Sequence, residues 1–152
     1  MKLSPRKLNA FLLFKLPAAY FTGVRTSYID NTKCIVKVKH RWINQNPFKS
    51  MFWAVQGMAA ELSTGALLVA KIEESSKKIS SLVIKNEGAF FKKATGKILF
   101  ECTQGIEIDA IIKKAIETGE GQTITLHSVG KNSEGEEVSS FSFEWSLKVK
   151  SK

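Results

Sequence analysis

The side chain with the clearest chemical potential is Glu61. It is the one carboxylate between Met51 and Ala70, where the only other polar side chains are Gln56, Ser63 and Thr64. A carboxylate can draw a proton from water or attack a carbonyl carbon itself. Taken out of water it is costly unless paired, so Glu61 either does chemistry or satisfies a structural partner, a buried Lys or Arg or a neighbouring backbone group. On a helical wheel its neighbours are Ala54, Gly57, Met58, Leu62, Gly65 and Leu68. Most are small, which suits a close backbone approach or the floor of a pocket. Other chemistries are poorly supplied. Cys34 and Cys102 have no ligand partner at metal spacing and read as core thiols of a reducing compartment. His40 and His127 fall in strand patterns far from any Cys or second His, so no metal is expected. No glycine-rich phosphate loop, nucleophile elbow or Ser, His and Asp arrangement is present. Any hydrolysis must rest on the carboxylate.

The elements that position Glu61 follow from periodicity. Met51 to Ala70 reads as a helix without a polar face, expected to be buried all round. Ser4-Pro5 is a helix start, and Leu8, Phe11, Leu12, Lys15 and Leu16 follow at helical spacing, predicting a short amphipathic helix that ends before Pro17. Cys34, Val36, Val38, His40 and Trp42 alternate with Ile35, Lys37, Lys39 and Arg41 as in a strand with one buried face. Strands are also predicted over Ser81 to Phe91, Lys97 to Thr103 and Gln122 to Val129. The clearest has Val138, Phe141, Phe143, Trp145, Leu147 and Val149 set against Ser140, Ser142, Glu144, Ser146 and Lys148. The turn formers Gly130 to Gly135 join the last two strands as a hairpin. Ile108, Ile111, Ile112, Ala115 and Ile116 outline a further amphipathic helix stopped by Gly119. An apolar helix of this kind can be buried by a curled sheet wrapped around it, and its leftover face by a second subunit. One domain over 1–152, of α+β class, is the economical reading.

Composition narrows the partners. The chain has 152 residues, 43% hydrophobic and 24% charged, which excludes a disordered polymer and allows a substantial core. The formal charge of +9 favours anionic partners: nucleic acid, membrane surfaces or phosphorylated cofactors. The bases are scattered and lack the aromatic interleaving of common nucleic-acid modules, so that partner ranks last. Lys15 interrupts the early apolar run and no small-residue cleavage site follows, which argues against a signal peptide. Met51 to Ala70 is long enough to span a bilayer, yet Glu61 near its middle costs about 2.5 to 3.5 kcal/mol on insertion scales, so a soluble core helix and a cytoplasmic protein are expected.

The order of elements, with the stretch Asn46 to Gly65, resembles the hotdog-fold thioesterases, especially the phenylacetate-type branch, and more closely still the thioesterase-like group DUF4442. In that branch an Asn before the central helix is followed by His-Gly-Gly and, fifteen positions after the Asn, by an acid on the helix. Asn46 and Glu61 keep that spacing. The resemblance covers roughly Lys33 to Leu147, with a weaker echo at Gly23-Val24-Arg25. It implies a hotdog fold, a curved antiparallel sheet around a long central apolar helix, with an N-terminal helix and an inserted second helix as additions. It also implies a homodimer or tetramer with sheets paired edge to edge, an active site at the subunit interface, and acyl thioesters of coenzyme A or a carrier protein as substrates, with no cofactor beyond the coenzyme A of the substrate. Glu61 would then activate water or attack the thioester, and Asn46 would orient water or substrate. The backbone N–H near Trp53 would polarise the thioester oxygen, and Phe52, Trp53, Ala54 and Gly65 would line the substrate site. Thr64, one turn from Glu61, could hydrogen-bond substrate or water, although its spacing does not fit the family motif closely.

Asn46 precedes Pro47 and equally suits a turn or helix start. Phe90-Phe91-Lys92-Lys93-Ala94-Thr95-Gly96 echoes a second family stretch, in which Lys92 and Lys93 would meet coenzyme A phosphates; two lysines near a strand end also suit plain surface. The chain departs from the pattern where Phe52-Trp53-Ala54 replaces His-Gly-Gly. Two aromatics at the entry favour an alternative, a non-catalytic acyl-binding protein using the same apolar tunnel.

Overall fold

The computed structural model describes residues 3–151. The chain opens with α1 (Pro5–Lys15), where the Ser4 hydroxyl accepts from the Lys7 N–H at 3.4 Å and Pro5 takes the first turn. Leu8 and Leu12, one turn apart, bury one face of it. The helix stops ahead of Pro17 as its spacing predicts, but a short second helix, α2 (Pro17–Phe21), follows at once.

Strands β1 (Arg25–Ile29) and β2 (Cys34–Lys39) form a hairpin closed by Asp30. Its carboxylate accepts from the N–H groups of Thr32 at 2.7 Å and Lys33 at 2.9 Å. After a 3-10 turn comes the central helix α3 (Trp53–Glu74), then β3 (Ile79–Phe90), β4 (Lys97–Cys102), α4 (Gly105–Thr118), β5 (Gln122–Lys131) and β6 (Glu137–Val149). The six strands make one antiparallel sheet in the order β1-β2-β4-β5-β6-β3.

This is the predicted α+β arrangement: a curved sheet with α3 packed across β1, β2, β4, β5 and β6. Alternation places Phe141, Phe143, Trp145 and Leu147 of β6 inward, in one hydrophobic cluster with Val55, Ala59, Leu62 and Leu67 of α3. Several polar groups in that core are paired, while Thr26 Oγ1 and His40 Nε2 are buried without a hydrogen-bond partner among the described residues. The hydroxyls of Ser63 and Ser128 lie 2.7 Å apart, and Ser139 donates to the Gln56 side-chain oxygen at 2.8 Å. Buried Lys71 reaches Asp109 at 2.9 Å and ties α3 to α4.

The inserted helix α4 is present and ends at Gly119 in a left-handed conformation, φ +68°. Its first residue sits directly on the β1–β2 turn, where a Cβ on Gly105 would fall 2.1 Å from the Asn31 carbonyl oxygen.

Besides α2, four features differ from the sequence reading. The strand alternation read from Cys34 to Trp42 stops at Lys39, since Trp42 opens the 3-10 turn and is exposed. β1 is an additional strand: Arg25-Thr-Ser-Tyr-Ile is short, is broken by an irregularity between Thr26 and Tyr28, and shows no alternation to betray it. α3 starts at Trp53 and runs one turn past Ala70. Nor is α3 buried all round, since Trp53 and Val69 are exposed and Ala54, Gly57, Met58 and Glu61 half-buried. The sheet covers one side of it only, and β3, bonded to β6 at the sheet's edge, is exposed along almost its whole length. Among the described residues no helix is long and apolar enough to cross a membrane.

Candidate functional site

Glu61 projects from the middle of α3 into a pocket of about 180 Å³. Its floor is Glu61, Gly65 and Trp145; its walls are Leu8 and Phe11 of α1 with Ala66 and Val69 of α3. Gly65 lies one turn on, and a Cβ there would stand 3.2 Å from Glu61 Oε1 and 3.3 Å from the Trp145 ring. Trp145 is fixed in turn by its indole N–H, which donates to Thr64 Oγ1 at 3.2 Å. The Thr64 hydroxyl itself donates to the Glu61 backbone carbonyl at 2.8 Å, so this fully buried residue is engaged within the core. Among the described residues nothing donates a hydrogen bond to the Glu61 carboxylate and no base pairs with it. Burial alone pushes its carboxyl above the ordinary value. A carboxyl raised in this way is a better proton acceptor at neutral pH than an ordinary glutamate, and a desolvated carboxylate is a stronger nucleophile.

A second concavity, of about 550 Å³, lies at the start of α3. It gathers Asn46, Phe52, Trp53, Gln56, Lys92 and Lys93. Asn46 organises the loop leading into the helix. Its side-chain oxygen accepts from Phe48 N–H at 2.8 Å and Ser50 N–H at 3.3 Å, while its amide nitrogen donates to Ser50 Oγ at 3.0 Å. Phe52 caps α3 without a side-chain bond. The N–H groups of Met51 and Phe52 are held by Ala94 O and Asn44 O, each at 2.8 Å. Those of Trp53 and Ala54 have no acceptor among the described residues, so the positive end of the helix presents free donors beside the cleft. The Phe52 and Trp53 rings meet edge to face at 6.0 Å and are both exposed. Lys92 is paired with Glu136, whose hydrogen bond holds the ammonium above its ordinary pKa, and Lys93 Nζ donates to Phe48 O at 3.3 Å.

The structure therefore brings Asn46, Phe52, Trp53, Lys92 and Lys93 together and gathers Glu61 with Gly65 elsewhere. Ala54 sits half-buried in the first turn of α3. Glu61 lies eight positions beyond Trp53 on the helix, about 12 Å along the axis. Sequence reasoning missed Trp145 and the α1 residues Leu8 and Phe11 as walls of the Glu61 pocket. Their periodicity marks them as core or helix-face residues, but only the packing of α1 on α3 makes them neighbours of Glu61. It also missed Gln56, which lines the cleft while donating to Met51 O at 3.3 Å. Among the described residues no group of three His, Cys, Asp or Glu side chains converges as metal ligands.

A long helix cradled by a curved antiparallel sheet defines a hotdog fold. Its relatives among solved structures include PA5026 from Pseudomonas aeruginosa, described as a probable thioesterase, at TM-score 0.83 and 22% identity over 99% of both chains. OLEI01261 from Chlorobaculum tepidum, of unknown function, matches at TM-score 0.82 and 17% identity over 97% of this chain and 98% of that one. Thioesterase HI1161 from Haemophilus influenzae matches at 0.73 and 11% identity, over 98% and 93%. No curated protein matches the chain significantly. The chain belongs to the family DUF4442, a domain of unknown function, whose model matches residues 6–147.

Proposed function

We propose that this protein hydrolyses acyl thioesters, of coenzyme A or a carrier protein, with Glu61 as general base or nucleophile. The observation that carries the reading is an unpaired carboxyl on the central helix, raised by burial and facing an apolar pocket. The carboxylate either removes a proton from water as it adds to the thioester carbonyl, or adds there itself; the thiolate leaves and is protonated, and in the second route water then hydrolyses the anhydride.

The site is completed by a second copy of the chain. One thioester cannot touch both Glu61 and the free N–H groups at Trp53 and Ala54 of a single protomer, about 12 Å apart along one helix. Two protomers joined through the exposed edge strand β3 would offer the helix start of one to the Glu61 of the other. Leu82, Ile84 and Phe90 are exposed along that edge and would be covered by the pairing, beside the polar Ser81, Lys85 and Glu87. Asn46 then acts by shaping the loop that aims those N–H groups, and Lys92 and Lys93, which line the same cleft, would meet the coenzyme A phosphates.

A second reading has its own observation. Phe52 and Trp53 crowd the helix start with two exposed rings, which suits retention of an acyl group without hydrolysis. Thiol release from short, long and aromatic coenzyme A thioesters, by wild type and by Glu61→Gln, separates the two. Turnover that falls about a hundredfold or more in Glu61→Gln is expected. Turnover that survives the change refutes the role of Glu61, and none across the panel favours acyl binding alone.

A further inference from the structure

The N-terminal helices carry a surface that hydrolysis of a soluble thioester does not require. Residues 1–29 hold five bases, Lys2, Arg6, Lys7, Lys15 and Arg25, and no acid precedes Asp30. Arg6, Lys7 and Lys15 are exposed, and none forms an ion pair among the described residues. Between them stand aromatics turned to solvent: Phe14 is 78%, Phe21 61% and Phe11 53% exposed. Lys7, Phe11 and Phe14 recur at i, i+4 and i+7, a face of α1 different from the one that Leu8 and Leu12 bury.

This patch runs into the Glu61 pocket. Phe11 and Leu16 are solvent-exposed and also line that pocket, opposite Val69 of α3, itself 45% exposed. Glu73 is the one exposed acid among the lining residues.

We propose that the α1–α2 face docks on an anionic lipid bilayer, with Phe11, Phe14 and Phe21 entering the interface and Arg6, Lys7 and Lys15 meeting the headgroups. Apolar and aromatic side chains interleaved with bases are what such a surface takes up, and each contributes separately. The alternative occupant, a second copy, is disfavoured by charge. A two-fold contact would set Arg6, Lys7 and Lys15 against the same three bases with no acid of that face between them. Docking in this orientation directs the pocket mouth at the lipid, so that an acyl chain held in the bilayer reaches Glu61 between Phe11 and Val69. That last step rests on the proposed hydrolysis; the docking does not.

Co-sedimentation with vesicles of equal parts phosphatidylglycerol and phosphatidylcholine, beside vesicles of phosphatidylcholine alone, tests it. Wild type is expected on the anionic vesicles and at least about tenfold less on the neutral ones. Phe14→Ser is expected to weaken binding about tenfold or more, and Lys15→Glu about fivefold or more. Both side chains are exposed and outside the pocket, so folding and hydrolysis of soluble thioesters should be unchanged. Failure of wild type to bind anionic vesicles at low salt, or equal binding by Phe14→Ser, overturns the proposal. So does a Phe14→Ser protein that loses an oligomer while wild type ignores vesicles, since the face would then belong to a second copy. Vesicle binding without thioester turnover refutes only the hydrolysis, and turnover without vesicle binding only the docking.

Discussion

Gly65→Ala is the most informative single change, because it sets a gain in helix propensity against crowding of the Glu61 carboxylate. In a helix interior, Ala is more favourable than Gly by about 0.8 to 1.0 kcal/mol. Gly57, two turns earlier in α3, calibrates that gain: a Cβ there meets only Phe141 at 3.7 Å, an ordinary contact. Within the protomer, Gly57→Ala should therefore raise the melting temperature by about 2 to 4 °C for a chain of this size. At Gly65 the added methyl stands 3.2 Å from Glu61 Oε1 and 3.3 and 3.4 Å from two carbons of Trp145. The indole is held by its bond to Thr64 and cannot slide away without losing it. Glu61 has no such tether, so the carboxylate is the group that moves.

Crowding of that kind typically costs about 1 to 3 kcal/mol. Set against the propensity gain, Gly65→Ala should leave stability unchanged or lower it by up to about 2 kcal/mol. The carboxylate, displaced by a few tenths of an ångström and turned from its pocket, should lose at least about tenfold in kcat, since a misplacement near 1 Å can cost a hundredfold. Thermal melts of both variants and thiol-release assays measure the two effects separately. A Gly65→Ala protein that gains the full 2 to 4 °C and turns over at the wild-type rate would refute the close packing around Glu61.

Two further outcomes follow from groups whose ionisation burial alters. The Glu61 carboxyl is raised from 4.5 by desolvation, so the folded state holds its proton to higher pH than the unfolded chain does. Wild type should thus lose stability relative to Glu61→Gln as pH rises from the ordinary carboxyl value through the raised one, the gap levelling above it; a gap that stays flat from acid to neutral pH would contradict the desolvation. Burial likewise pushes the thiols of Cys34 and Cys102 up to about 12 and about 11, leaving almost no thiolate at mildly alkaline pH. Both should resist iodoacetamide in the native protein and react in denaturant, and stoichiometric labelling of the native protein would show the sheet around them to be more open than it is here.

How far the sequence could be read depended on the range of the interactions involved. β6 was plain because ten residues alternate without a break, and α3 because its apolar run has no competing period. The stop at Gly119 was equally local. β1 was invisible because its pairing with β2 depends on the Asp30 turn and on α1 packing over it, through the Asn9 side chain bound to both Thr26 backbone groups at 2.8 and 3.0 Å. The site divides in the same way. Spacing along the chain set Asn46 and Glu61 fifteen positions apart, but it could not express that most of this distance is rigid helix. The pocket wall supplied by α1 was out of reach for a different reason, since nothing local to Phe11 says that it lies across from Gly65.

The treatment of charge along α3 bears most directly on what Glu61 is for. The helix buries one ionisable group, Lys71, and half-buries another, Glu61. Lys71 receives Asp109 at 2.9 Å, with Glu74 at 3.8 Å, as a structural charge should when its isolation would be costly. Glu61 receives nothing, although partners stand near: Lys7 lines the same pocket without approaching it, and the neighbouring Thr64 hydroxyl is turned to Trp145 and the Glu61 carbonyl instead. A carboxyl kept only for packing would be more stable as Gln or Leu in this setting. Holding it unpaired over an apolar pocket, beside a glycine that leaves its oxygen room, makes sense when a reacting group is the partner it lacks.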